Sequence, residues 1–155
     1  MKNSLLVPLL IKKKISISTA ESCTGGLLAS KITEVPNSSK IFNFGLVTYS
    51  NKSKEKLLNI KKNTLQKYGA VSSQTCMEMV ENLSRLSKSN ICISITGVAG
   101  PGGGSKVKPV GLVYVGIKSK NKTRIYEFRL KKDLSRKKIQ SSIVNKVFKL
   151  IFSSI

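Results

Sequence analysis

The stretch Ile15-Ser16-Ile17-Ser18-Thr19-Ala20-Glu21-Ser22-Cys23-Thr24-Gly25-Gly26-Leu27-Leu28-Ala29-Ser30-Lys31-Ile32 changes its periodicity partway along. Residues 15–19 alternate apolar and polar side chains, the period of a strand. Residues 21–26 read as a turn, because two consecutive glycines free the backbone for conformations other residues avoid. Residues 27–32 are apolar and read as a helix. Strand, glycine turn and helix are the repeating parts of an α/β protein. The prediction is one three-layer α/β/α domain with a mixed β-sheet, spanning residues 1–155.

Working outward, residues 2–14 have helical apolar spacing, but Pro8 removes a hydrogen bond, so a short or kinked helix is expected. Val35-Pro36-Asn37-Ser38-Ser39 reads as a loop, residues 42–49 as a strand, and Ser50-Asn51 as the cap of a helix over 52–58. Tyr68-Gly69 reads as a short turn. Ser72 or Ser73 is expected to cap a helix running to Leu86, with Met77, Val80 and Leu83 facing inward. Residues 91–96 read as a buried strand. Residues 110–118 and 123–130 alternate as a hairpin across Ser119-Lys120-Asn121-Lys122. A last helix over 134–152 presents Ile139, Ile143, Val147 and Leu150 at helical spacing.

Composition removes several chemistries. The chain has no histidine, so a Ser-His-Asp triad, a Cys-His pair and an H-E-x-x-H metal helix cannot be built from it. A nucleophile here needs another base, and lysine is the abundant supply. Cys23, Cys76 and Cys92 have no C-x-x-C spacing, which argues for reduced, buried thiols and against a zinc site. Neither a metal nor a cofactor is expected. No apolar run approaches the ~20 residues of a membrane span, and the apolar start leads into Lys12-Lys13-Lys14, not into a cleavage site, so a cytoplasmic protein with no membrane partner is expected.

The net charge of +21 would ordinarily direct attention to nucleic acid or an anionic surface. However, 24 of the 28 basic residues are lysine, spread through every segment beside abundant Ile, Asn and Ser. That is the pattern of an A+T-rich coding sequence, and it lacks the arginine and aromatic clusters of nucleic-acid readers.

Two segments invite chemistry. Ser22 lies where a strand hands over to a helix, so its hydroxyl can face the free amides of the first helical turn. A serine there is also an ordinary helix cap. The segment Gly97-Val98-Ala99-Gly100-Pro101-Gly102-Gly103-Gly104-Ser105 can cradle a phosphate through backbone amides, or be a plain surface loop. It is not a Walker A loop, because Ser105 precedes Lys106.

Taken with Ala20-Glu21-Ser22-Cys23-Thr24-Gly25-Gly26, Val47-Thr48-Tyr49-Ser50-Asn51, Tyr68-Gly69-Ala70-Val71-Ser72 and Lys108-Pro109-Val110-Gly111, that loop closely resembles the CinA C-terminal domain family. The resemblance covers nearly the whole chain. It implies a stand-alone nicotinamide-nucleotide amidase: conversion of nicotinamide mononucleotide and water to nicotinate mononucleotide and ammonia, without metal. It assigns the nucleophile to Ser22, the base to Lys54, and supporting roles to Tyr49 and Thr96. Substrate contacts are implied at Cys23, Thr24, Gly25, Gly97, Gly100, Gly102, Gly103, Gly104, Ser105 and Arg136.

The chain departs from the family at Arg136-Lys137-Lys138-Ile139-Gln140, where a second arginine is usual and Gln140 stands instead. A small nucleotide substrate and a homodimer are implied by the same resemblance. A different class remains open: a non-catalytic or weakly active protein binding nucleotides or polyanions through its positive charge.

Overall fold

The computed structural model describes residues 3–153 and 155, and Lys2 of the expected first helix lies outside them. Helix α1 (Asn3–Lys13) leads into strand β1 (Ile17–Glu21), then helix α2 (Leu27–Thr33), a single 3-10 turn at Ser38–Lys40, and strand β2 (Phe42–Val47). Helices α3 (Asn51–Leu58), α4 (Lys62–Tyr68) and α5 (Ser73–Ser87) follow without an intervening strand. Strands β3 (Ile91–Gly97), β4 (Leu112–Ser119) and β5 (Lys122–Arg129) precede the last helix, α6 (Arg136–Phe152).

The strands form one sheet in the order β2-β1-β3-β4-β5. β1 pairs in parallel with β2 and β3, and the β3-β4 and β4-β5 pairs are antiparallel, so the sheet is mixed as expected. One face carries α1, α2 and α6, whose Leu6, Leu10, Leu28, Ile32, Ile143 and Val147 pack with Ile17, Ile93 and Val115 of the sheet. The other carries α3, α4 and α5, where Leu58, Leu65, Met79 and Leu83 meet Ala20 and Cys92. The expected three-layer α/β/α domain is the observed one.

Several boundaries differ, each for a physical reason. Helix α1 runs through Pro8. Both Pro8 and Ser4, whose carbonyl loses its partner there, are exposed, so water can satisfy the freed group. β1 starts and ends two residues later than the alternating pattern indicated, because all five of its residues are buried and alternation no longer marks it. Met77 is exposed, and Cys76, Met79, Val80 and Leu83 form the buried stripe of α5. Helix α4 occupies a segment expected to hold only the Tyr68-Gly69 turn. The hairpin turn tightens to Lys120-Asn121, since Ser119 and Lys122 already pair. Ser72, not Ser73, caps α5 by accepting from the Thr75 amide.

The topology fixes where a ligand can sit. From β1 the chain moves to β2 on one side, whereas from β3 it moves to β4 on the other. Where neighbouring strands send their continuations in opposite directions, a crevice opens at their carboxyl ends. Ser22 and the loop after Gly97 stand at that crevice. Leu83 is fully buried in the α3-α5 layer. Leu83→Ala is expected to cost about 2–5 kcal/mol of stability, measured by urea denaturation.

Candidate active site

Ser22 is the first residue beyond β1, and its amide donates to the Ile95 carbonyl of β3 at 2.9 Å. The turn after it closes locally, with the Gly25 amide on the Ser22 carbonyl at 3.0 Å and the Leu27 amide on Thr24 at 3.1 Å. Gly25 and Gly26 have φ of +60° and +93°, a left-handed pair that side-chain-bearing residues rarely adopt. Alternation along β1 puts Ile17, Thr19 and Glu21 on the α1-α2-α6 side. Ser22 therefore points to the opposite layer, where α3 begins.

Lys54 comes from that layer. Ser50 caps α3 through a capping box with Ser53, which starts the helix and places Lys54 in its first turn. The side chain is fully buried. Its Nζ lies 3.1 Å from Ser22 Oγ, donates to the Thr48 carbonyl at 2.8 Å, and reaches the Tyr49 carbonyl at 3.4 Å. No carboxylate is among these partners. Burial pushes the amine below its ordinary 10.5, opposed only by the neighbouring Cys23.

Protonated, Nζ has three N–H groups for these three oxygens; once it loses a proton, two remain for the carbonyls and a lone pair is left for the Ser22 hydroxyl, which can donate. Cys23, next along the chain, is no competing nucleophile: burial pushes its thiol up to about 12.

The other expected residues divide into three groups. Cys23, Tyr49, Thr96, Gly97, Gly100, Gly102, Gly103 and Arg136 line the same cleft as Ser22 and Lys54, a space of about 250 Å³. Thr24 and Gly25 instead line a hollow between α2 and α6. Gly104 and Ser105 line a third hollow beyond the glycine loop, with Lys106 and Lys132. At Gly97 a side chain would collide with the Leu112 carbonyl at 2.7 Å, so only glycine lets the loop leave β3 against β4.

The side chains of Tyr49 and Thr96 both bond away from the Ser22-Lys54 pair. The Tyr49 carbonyl, not its phenol, touches Lys54; the phenol is mostly exposed and accepts from Arg136 Nη2 at 2.7 Å. The Thr96 hydroxyl donates to the Ala70 carbonyl at 2.7 Å, tying the loop between α4 and α5 to the sheet. Arg136, the first residue of α6, also donates through Nη1 to the Gly100 carbonyl at 2.8 Å, and so spans the cleft mouth. Gln140 donates to the Cys23 carbonyl at 2.9 Å.

Sequence reading missed Glu21, whose buried carboxylate accepts from the Leu28 and Ala29 amides at 3.0 and 2.8 Å. Those amides are therefore not free to face Ser22, as the strand-turn-helix reading had them. A carboxylate directly before a serine turn and a short helix was the available signal. Among the described residues no group of three or more His, Cys, Asp or Glu side chains is placed to hold a metal ion. No helix among them is long and apolar enough to cross a membrane.

A mixed five-stranded α/β domain that buries a lysine against a serine at the sheet's switch point is a defined structural class. The chain belongs to the CinA C-terminal domain family, whose profile matches residues 2–155. It is 52% identical over 139 residues to a protein carried under the name competence-damage inducible protein in Caldanaerobacter subterraneus, covering 90% of this chain and 34% of the relative. A CinA-like protein of Fusobacterium nucleatum is 51% identical over 141 residues, with coverage of 90% and 34%. The chain thus spans about a third of the length of these relatives.

Among solved structures, the competence/damage inducible protein CihA of Agrobacterium tumefaciens superposes with a TM-score of 0.91 at 36% identity, covering 97% of this chain and 94% of that one. A CinA superfamily protein of Escherichia coli gives 0.92 at 27% identity, with coverage of 99% and 88%.

The lysine's environment has a thermodynamic signature. Lys54 is depressed in the folded chain and returns toward 10.5 on unfolding. Between those values the unfolded chain holds more protons, so folding is favoured increasingly as pH rises. Wild-type stability is expected to gain on that of Lys54→Met as pH climbs toward 10.5, in urea denaturations at stepped pH. Parallel pH dependences would contradict a depressed amine.

Proposed function

We propose that this domain hydrolyses the carboxamide of nicotinamide mononucleotide, giving nicotinate mononucleotide and ammonia, with Ser22 as nucleophile and Lys54 as general base and acid. The observation that carries the proposal is the 3.1 Å approach of a buried, uncompensated amine to the Ser22 hydroxyl.

In the first half-reaction Ser22 Oγ bonds to the carboxamide carbon as Lys54 takes the hydroxyl proton, and the carbonyl pair moves onto oxygen. The tetrahedral centre then collapses. Its C–N bond breaks, and nitrogen leaves as ammonia with the proton returned by Lys54. Water adds to the acyl-serine, losing a proton to Lys54, and collapse releases the acid and restores the Ser22 hydroxyl. The developing oxyanion needs donors, and the Cys23 and Thr24 amides of the turn are the ones proposed, since Glu21 occupies those of Leu28 and Ala29.

Arg136 gives the cleft mouth a fixed positive charge whose present partners, Tyr49 Oη and the Gly100 carbonyl, are both uncharged. An anionic group of the substrate is a stronger acceptor than either, so Arg136 and the glycine loop beside it are proposed to hold the nucleotide phosphate. A cleft of about 250 Å³ favours a small ligand of this kind over a polymeric anion. Amidase action on another small pyridine amide would use the same machinery.

Ser22→Ala is expected to lower ammonia release from nicotinamide mononucleotide by about 10³-fold or more with folding retained. Wild-type turnover in that variant would end the proposal. Arg136→Lys keeps charge but loses the planar fork, and KM is expected to rise about tenfold with a smaller change in kcat. The acid limb of the kcat/KM profile is expected to report the Lys54 amine, activity rising with pH as it deprotonates.

A further inference from the structure

We infer that Glu21 is a positioning residue for the Ser22-Lys54 pair, holding the nucleophile's turn in register with the end of β2, whose Thr48 carbonyl holds the base. The inference rests on the reading of Ser22 as nucleophile. Glu21 does not touch Lys54: it lies on the α1-α2-α6 side of β1, while Lys54 enters from the other layer. Its influence passes through the backbone, in three directions.

First, its two carboxylate oxygens take the amides of Leu28 and Ala29, so the start of α2 is strapped to the end of β1. This pins both ends of the segment 22–27, which contains the nucleophile and two adjacent left-handed glycines. Glycines make such a turn easy to form and easy to deform. The strap supplies the rigidity they do not. Second, the Glu21 carbonyl accepts the Thr48 amide at 2.8 Å, and the Thr48 carbonyl is the nearest partner of Lys54 Nζ, at 2.8 Å. Third, the next residue along the chain is Ser22. The nucleophile is therefore the next residue along the chain from Glu21, and the base is reached through one intervening residue, Thr48.

An ordinary helix cap does not explain this arrangement. The capping position of α2 is Gly26, which offers no side chain. A serine or aspartate there could cap the helix without constraining the residues before it. A fully buried carboxylate reaching back from β1 is costly to desolvate, and its two charge-assisted bonds to buried amides offset that cost only when the turn is closed. Carboxylate satisfaction and turn geometry are thus the same event.

The test uses the full chain and a fluorophosphonate that labels activated serines, with intact mass and peptide mapping to locate the adduct at Ser22. Labelling rates are measured between about pH 6 and 10 for wild type, Ser22→Ala, Glu21→Gln and Glu21→Asp. Glu21→Gln cannot accept both amides, and Glu21→Asp keeps the charge but is too short to reach them. Both are expected to label about 10- to 100-fold more slowly with the pH midpoint unchanged, because the turn is displaced while the burial that depresses Lys54 is retained.

Labelling within about twofold of wild type in either folded variant would reduce Glu21 to a structural residue and overturn the inference. A shifted midpoint at preserved rate would also overturn it, showing that the carboxylate acts on Lys54 by charge. Glu21→Asp carries the test if Glu21→Gln does not fold. Wild type failing to label at Ser22 would remove the nucleophile reading itself, and this inference with it. That outcome is distinct from a labelled wild type with equally reactive Glu21 variants.

Discussion

The structure is organised around one costly act, the removal of a lysine amine from water without giving it a negative partner. A charge in that position is penalised, so burial shifts the group toward its neutral form. Everything needed for this is local. Ser50 starts α3 at the point that carries Lys54 inward, and the carbonyls of Thr48 and Tyr49 give its N–H groups acceptors without giving it a counter-charge. A carboxylate in place of either carbonyl would have held the proton and left a salt bridge instead of a base.

The sheet converts that local chemistry into a cleft. Parallel pairing of β1 with both β2 and β3 brings three carboxyl-terminal ends together, and each end contributes a different part: Ser22 after β1, the Thr48 and Tyr49 carbonyls after β2, and Gly97 and its loop at the end of β3. The antiparallel strands β4 and β5 contribute shape more than chemistry. Leu112 lies so close to Gly97 that a side chain there would collide with its carbonyl, and the glycine loop begins just beyond that contact. Arg136 then ties the loop to Tyr49 from the far helix, so that residues distant in sequence share one mouth.

Much of this was legible in the sequence, and the failures follow a physical pattern. Strong periodic segments such as α5 and α6 were found, whereas Lys62-Asn63-Thr64-Leu65-Gln66-Lys67-Tyr68 has too few apolar residues to mark α4 as a helix. β1 was misplaced by two residues because burial on both faces erases alternation, and that error put Glu21 in a turn when it ends the strand. The absence of histidine directed attention to lysine, but nothing in composition or spacing distinguishes Lys54 from the other 23; only the motif position did. The roles of Tyr49 and Thr96 were out of reach for a different reason. Each depends on a carbonyl, Tyr49 on its own as acceptor from Lys54 and Thr96 on that of Ala70 as acceptor from its hydroxyl, and which carbonyl lies within reach is set by the fold, not by side-chain identity.

The site also accounts for how so basic a chain can keep a depressed lysine without depending on its surface. Exposed charges more than a Debye length apart, about 8 Å at physiological salt, are largely screened from one another, and the shift at Lys54 arises first from burial. The accumulation of lysine across solvated faces therefore has little leverage on the amine at the centre, which responds to the packing of α3 against α5 and the bonds around its own nitrogen. The same reasoning applies to Gln140. Gln140 carries no charge, and its amide bonds the Cys23 carbonyl and holds α6 to the nucleophile turn. Composition and site are governed by different physics, one by solvent and the other by its exclusion, so the first can drift far while the second stays in place.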